Sequence, residues 1–227
     1  MECLTAECRP APTHDLIRLR APIRPAGDAP PPAWVEVALG QIPWVVVRRG
    51  HIRNGIVPVG VRGETRSHRF AAFVGISEIA DRLSPEDLIA AVPVIEQKRK
   101  DAVPALAALE RVADLLMRRG YRWGPGGSVG FELATSVATA TASSDLDLIL
   151  RQDGRLAPDQ ATDLLEALVK AAVPARIDVM LETPIGGVAL ASLDARQPQV
   201  LVRTPFGPRL ADDPWMVDAA ASFQAAL

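Results

Sequence analysis

The stretch Gly126–Leu148, GGSVGFELATSVATATASSDLDL, sets a glycine pair and a hydroxyl ahead of two aspartates one residue apart. Side chains two apart on a strand share a face, so Asp145 and Asp147 project together while Leu146 and Leu148 turn inward. Neighbouring carboxylates repel unless a cation lies among them. A hard cation such as Mg²⁺ or Mn²⁺ takes carboxylate oxygens together with water and phosphate. Upstream, Gly126, Gly127 and Ser128 bring bare backbone N–H groups and a hydroxyl to the start of a helix, a natural seat for phosphate. Each feature alone has an ordinary reading, a turn for the glycines and an acidic strand end for the aspartates. Their order points to phosphoryl chemistry.

Downstream, DLDLILR (145–151) has the pattern of a strand. A helix is expected from Pro158 to Ala172, with Leu164, Leu165, Leu168 and Val169 inward. ARIDVMLE (175–182) is a second strand, which delivers Asp178 beside the first pair. Upstream, Leu106, Leu109, Val112, Ala113 and Leu116 recur at helical spacing from Pro104 to Arg119, with Gly120 as the stop. That helix is expected to hinge two halves. FELATSVATA (131–140) has no decisive period. In the first half, PWVVVRRG (43–50), IVPVGVRG (56–63) and HRFAAFV (68–74) read as short strands of a small sheet. Pro22, Pro25, Pro30, Pro31 and Pro32 make the segment before Trp34 an exposed connection. Ser84-Pro85-Glu86 reads as a helix start, serine as cap and proline in the first turn.

The chain has 227 residues and a formal charge of −2, enough for two small domains and no global reason to bind nucleic acid. It has no apolar run of membrane-spanning length. The N-terminal MECLTAECRP lacks an apolar signal region, so a cytoplasmic location is expected. Cys3 and Cys8 have no companion Cys/His pair with which to complete a zinc site and read as free thiols.

Charge is unevenly spread. Arg48, Arg49, Arg53, Arg62, Arg66 and Arg69 face Glu64 as the single acid of their stretch. Such an arm suits phosphate or an acidic protein surface, and equally a solvated edge strand that discourages pairing. Arg48, Arg62 and Arg69, which close or flank strands, are the better candidates for substrate binding. His14, His51 and His68 are scattered and belong to no nucleophile motif; Asp15 has no assigned role. Trp34, Trp44, Trp123 and Trp215 read as packing.

Gly-Ser before a helix, Asp-x-Asp on the next strand and a third aspartate on a later one resemble the nucleotidyltransferase superfamily of the polymerase-β type. The resemblance implies that Gly127 and Ser128 hold a triphosphate. It makes Asp145, Asp147 and Asp178 the catalytic, metal-holding carboxylates, the first two bridging two metal ions and Asp178 facing the attacking hydroxyl. The stretch from Ser128 to Asp145 is longer than in minimal members. YRWGPGGSVGFELATS, SSDLDLIL and ARIDVMLETPIGGVAL, with WVVVRRG, VPVGVRG and HRFAA upstream, more closely resemble the malonate decarboxylase holo-acyl-carrier-protein synthases, or phosphoribosyl-dephospho-CoA transferases. That resemblance implies an enzyme that moves a prosthetic group from triphosphoribosyl-dephospho-CoA to a serine of the decarboxylase's apo acyl-carrier subunit, with diphosphate leaving. The expected fold is α+β: a small N-terminal α/β domain, 1–100, carrying the basic arm, then a nucleotidyltransferase-like domain, 101–227, with a mixed sheet flanked by helices. Two other functions fit the carboxylates: a nucleotidyltransferase acting on a small molecule or another protein, and a non-catalytic nucleotide-binding module.

Overall fold

The computed structural model describes residues 11–52, 54–65, 67–152, 154–193 and 198–216; Cys3, Cys8, Arg53 and Arg66 lie outside these. The chain divides at Pro85/Glu86 into two units, with 134–136 grouped with the first. Residues 86–100, expected in the N-terminal domain, therefore belong to the second unit.

In the first unit, β1 (Leu16–Leu19), β2 (Arg24–Pro25), β3 (Trp44–Val47), β4 (Ile56–Arg62), β5 (Arg69–Gly75) and β6 (Ile79–Leu83) form one sheet. Its order is β2-β5-β4-β3-β1-β6, with every ladder antiparallel. β3, β4 and β5 are the three strands expected from β-branched alternation. Val45, Val47, Val57, Val59, Val61 and Val74 supply the core, and α1 (Ala33–Gln41) starts directly after the proline run. Asp15 is wholly buried and meets Arg82 Nε at 3.2 Å, while its backbone oxygen accepts Val47 N–H at 2.8 Å. Its role is to hold the entry to β1 against β3.

The second unit opens with a 3-10 helix, Asp87–Val94, which begins after Glu86 and has no side-chain cap. The expected serine-capped helix start is thus displaced: Pro93 inside the segment breaks regular α hydrogen bonding. α2 (Gln97–Ala102) follows. α3 (Pro104–Arg118) ends where Gly120 adopts φ +70°. This helix does not hinge the halves. It lies in the second unit's core, its inward Leu106, Leu109 and Leu116 packed with those of α5 (Pro158–Ala172) and with Leu146, Leu148 and Leu150.

The sheet of this unit runs β12-β11-β10-β9-β8-β7, from β7 (Arg122–Pro125), β8 (Leu146–Arg151) and β9 (Ile177–Thr183) to β10 (Gly186–Ala189), β11 (Val200–Thr204) and β12 (Gly207–Ala211). β8 and β9 are parallel, the arrangement that a helical crossover such as α5 permits. The other ladders are antiparallel, so the sheet is mixed and the α+β class holds. Asp145 precedes β8 by one residue rather than beginning it. Among the described residues no helix is long and apolar enough to cross a membrane.

One inward assignment on α5 fails: Leu164 is fully buried, but Val169 is 50% exposed. Leu164→Ala should therefore cost about 2–5 kcal/mol in urea unfolding, while Val169→Ala stays within about 0.5 kcal/mol. Equal losses would mean that α5 presents a different face to the sheet.

Candidate active site

The glycine turn grows directly out of β7. Pro125 pairs with Leu148, and Gly126 N–H donates to the Asp147 carbonyl at 2.8 Å. That donor belongs to the sheet rather than to a phosphate, which corrects the expected contribution of Gly126. α4 (Gly127–Thr135) begins at the next residue, with Gly127 at φ +57°. The free N–H groups of its first turn carry the positive end of the helix dipole. Ser128 is buried, and its carbonyl accepts the Thr139 hydroxyl at 2.9 Å.

Gly127 is demanded twice over, by its left-handed backbone and by its neighbour. A methyl group here would lie 1.7 Å from Asp147 Oδ2 and 2.6 Å from Cγ. The carboxylate therefore stands directly against the glycine backbone. Gly126 is roomier, its nearest neighbour being Ile149 Cγ1 at 3.4 Å.

Parallel pairing then sets the third carboxylate. Asp147 is the register partner of Asp178, which puts the two Cα atoms about 4.8 Å apart with their side chains on one face. Leu146, Leu148 and Val179 are buried on the opposite face, so the hydrophobic pattern that seats the strands also turns the acids outward. Asp145 Oδ1 accepts a bond from Arg176 Nε at 2.7 Å; the arginine side chain is 77% exposed and the aspartate 11%. Leu146 N–H donates to the Arg176 carbonyl at 2.8 Å, which brings the two residues together.

Among the described residues no three His, Cys, Asp or Glu side chains gather as a metal site. Asp145 here turns to Arg176. The donor set nevertheless suits a hard divalent ion: carboxylate oxygens on neighbouring strands, with Arg176 marking a place where positive charge is stable.

Glu132 of α4 is a functional candidate that the sequence reading missed. It accepts Arg99 Nε at 2.8 Å on Oε1, and Arg99 Nη2 at 2.9 Å on Oε2. The Thr139 and Ala140 N–H groups donate to the same Oε2, each at 2.9 Å. Burial pushes this carboxyl up, but the bonds from Arg99 and from the Ala140 and Thr139 amides outweigh it, so it is held below its ordinary value of 4.5. Its signal was a single charge on an otherwise uncharged helix, GSVGFELAT. Arg176 carried none beyond its place ahead of β9.

The basic arm belongs to the first unit. Arg62 and Arg69 face one another across β4 and β5, and the Arg48 side chain lies over Gly60. Arg49, expected on an exposed loop, is half-buried, with Nη2 3.5 Å from His14 Nε2. His68 stacks on Trp34, with centroids 4.9 Å apart and planes 7° from parallel. Trp123 is core.

Comparison with known proteins accounts for both units. Residues 12–85 match the phosphoribosyl-dephospho-CoA transferase MdcG N-terminal domain, and residues 89–214 match its C-terminal domain. The chain belongs to the phosphoribosyl-dephospho-CoA transferase family. A relative of that name from Pseudomonas putida is 44% identical over 190 residues, 84% of this chain and 88% of its own. Another, from Pseudomonas putida strain W619, is 39% identical over 209 residues, covering 92% and 97%. A third, from Azotobacter vinelandii, is 40% identical over 196 residues, covering 85% and 90%. No solved structure matches. Family membership makes the chain a transferase.

Gly127→Ala should cost about 1–2 kcal/mol in unfolding for its left-handed backbone and, by displacing the Asp147 carboxylate, abolish transfer. Gly126→Ala should keep most activity. Equal behaviour of the two would remove Gly127 from the site. A second expectation concerns acid. A lowered folded-state value means that Glu132 stabilises the fold fully above its unfolded value and loses that contribution as pH falls through the folded one. The melting advantage of wild type over Glu132→Gln should thus be constant above pH 4.5 and shrink below it; an advantage unchanged down to full protonation would contradict the assignment.

Proposed function

We propose that this chain transfers the 2'-(5''-phosphoribosyl)-3'-dephospho-CoA group from its triphosphate precursor to a serine of the apo acyl-carrier subunit of malonate decarboxylase, releasing diphosphate. The observation that carries the reading is the register of Asp147 with Asp178, one carboxylate standing on the glycine of the phosphate turn. Family membership favours this reaction over a nucleotidyltransferase aimed at a small molecule, and over a non-catalytic nucleotide-binding module.

The serine oxygen forms a bond to the α-phosphorus while the bond from that phosphorus to the β-phosphate bridging oxygen breaks. The electron pair leaves with diphosphate. Asp178, exposed at the sheet surface, takes the hydroxyl proton. The first-turn N–H groups of α4 align the triphosphate with the incoming oxygen. Asp145, Asp147 and Asp178 would hold Mg²⁺ or Mn²⁺, which when bound supplies charge neutralisation on the entering and leaving oxygens. Arg48, Arg62 and Arg69 of the first unit are the cationic candidates for binding an anion, whether a phosphate or an acidic carrier surface. The nucleophile comes from the carrier, so the chain needs no Ser-His pair of its own.

The test is intact mass of purified apo carrier subunit after incubation with enzyme, precursor and Mg²⁺. Wild type should add one prosthetic group. Asp145→Asn and Asp147→Asn should reduce the rate by about a thousandfold or more, as loss of a charge-stabilising group does; melting temperature should be unchanged or raised for Asp147→Asn, and unchanged or slightly lowered for Asp145→Asn, which also loses the exposed Arg176 pair. Asp178→Asn should follow them. Arg62→Ala should keep the maximal rate and raise the precursor concentration needed to reach it. Near-normal turnover of either Asp145 or Asp147 variant would sink the metal reading; a carrier left unmodified by wild type would sink the substrate.

A further inference from the structure

We propose that Glu132 and Arg99 act as a clamp that sets the path of the segment delivering Asp145, which makes Glu132 a positioning residue for transfer. The proposal rests on the reading that the first turn of α4 and the aspartates form one site.

Between the end of α4 at Thr135 and the start of β8 at Leu146 the chain has neither helix nor strand. A segment of that kind wanders unless side chains fix it. Glu132 takes both the Thr139 and Ala140 amides on one oxygen, and Arg99 of α2 closes the other side by donating to the Ala140 carbonyl at 2.9 Å. Ala140 is thus gripped at both its N–H and its carbonyl. The Thr139 hydroxyl ties the same point to the carbonyl of Ser128 in the first turn of α4.

From there a small turn carries the chain to the aspartate. Thr141 N–H donates to Ser144 Oγ at 2.9 Å, and Ser144 N–H donates to the Thr141 carbonyl at 3.0 Å. Asp145 follows at once. An unbroken run of bonds therefore links α2 and α4 to that carboxylate, so the spacing between the phosphate turn and Asp145 is held at the Arg99–Glu132 pair. The Glu132 side chain is 11% exposed, and bonds to an ionised acceptor in such a place are stronger than neutral ones. Losing the charge leaves four N–H donors facing a neutral amide. A displacement of about 1 Å at reacting groups lowers rates by as much as a hundredfold, so a loosened strap would act on chemistry before it acts on folding.

The experiment compares Glu132→Gln, Arg99→Met and the double variant with Leu164→Val, a core change on α5 that removes none of the strap's hydrogen bonds. Amide hydrogen exchange over 137–145 is followed by mass spectrometry, and transfer to the carrier is measured with precursor varied. Both clamp variants should speed exchange in 137–145 about tenfold and lower kcat about tenfold or more. The double variant should be no worse than the worse single, as expected for a pair acting as a unit. Leu164→Val should alter neither. Unchanged exchange would overturn the proposal, and so would faster exchange with normal kcat or an equal kinetic loss in the core variant. Failure of the site reading shows separately, as wild-type turnover by Asp145→Asn, while the exchange result still judges the strap.

Discussion

The carboxylate of Asp147 and the backbone of Gly127 adjoin across a gap too narrow for a single methyl group. That close approach needs the end of β7 to be held beside β8, which the Gly126 to Asp147 backbone bond accomplishes. It also needs a residue free to take a positive φ where the strand becomes a helix. Any side chain at Gly127 would push the acid away from the helix N-terminus. The glycine turn and the Asp147 carboxylate are thus one construction, and the remaining architecture holds its parts still.

The holding is hydrophobic. Leu146, Leu148 and Leu150 sit under the sheet with inward leucines of α3 and α5, and their burial fixes the register of β8, since a one-residue slip would carry the leucines to solvent and the acids to the core. Parallel pairing with β9 then sets Asp178 beside Asp147 as a matter of geometry. Two acids in register concentrate negative charge on one face of the sheet. At Asp145 the opposite charge visible in the fold is Arg176, a long exposed side chain that can leave without disturbing the core.

Much of this was legible in the residues. α3 and α5 showed in their leucine spacing and proline starts, and the strands around Asp147 and Asp178 in their apolar alternation; both depend on local chemistry that sequence records. β1 and β6 were missed because LIRL and IADRL are too short and too charged to show a period. α1 was hidden by the proline run before it, and the 3-10 helix followed a proline-containing segment that looked like a regular helix start. The adjacency of Asp147 and Asp178 and the glycine turn beside them were readable because strand register and a left-handed glycine follow from local sequence. Glu132, Arg99 and Arg176 were not. Their partners lie far away in sequence, and nothing local distinguishes an arginine that clamps a carboxylate from one that faces water.

The arginines outside the second unit follow a different logic. Arg62 and Arg69 pair across a hairpin, where like charges opposite each other destabilise the strands. A long side chain lets each guanidinium swing its head to a partner or to water while the stem stays on the sheet, which moderates that cost. Arg49 departs from this pattern. Its contact with His14 ties it into a turn whose backbone already adopts φ +77°, so its guanidinium is held by the fold of the first unit itself.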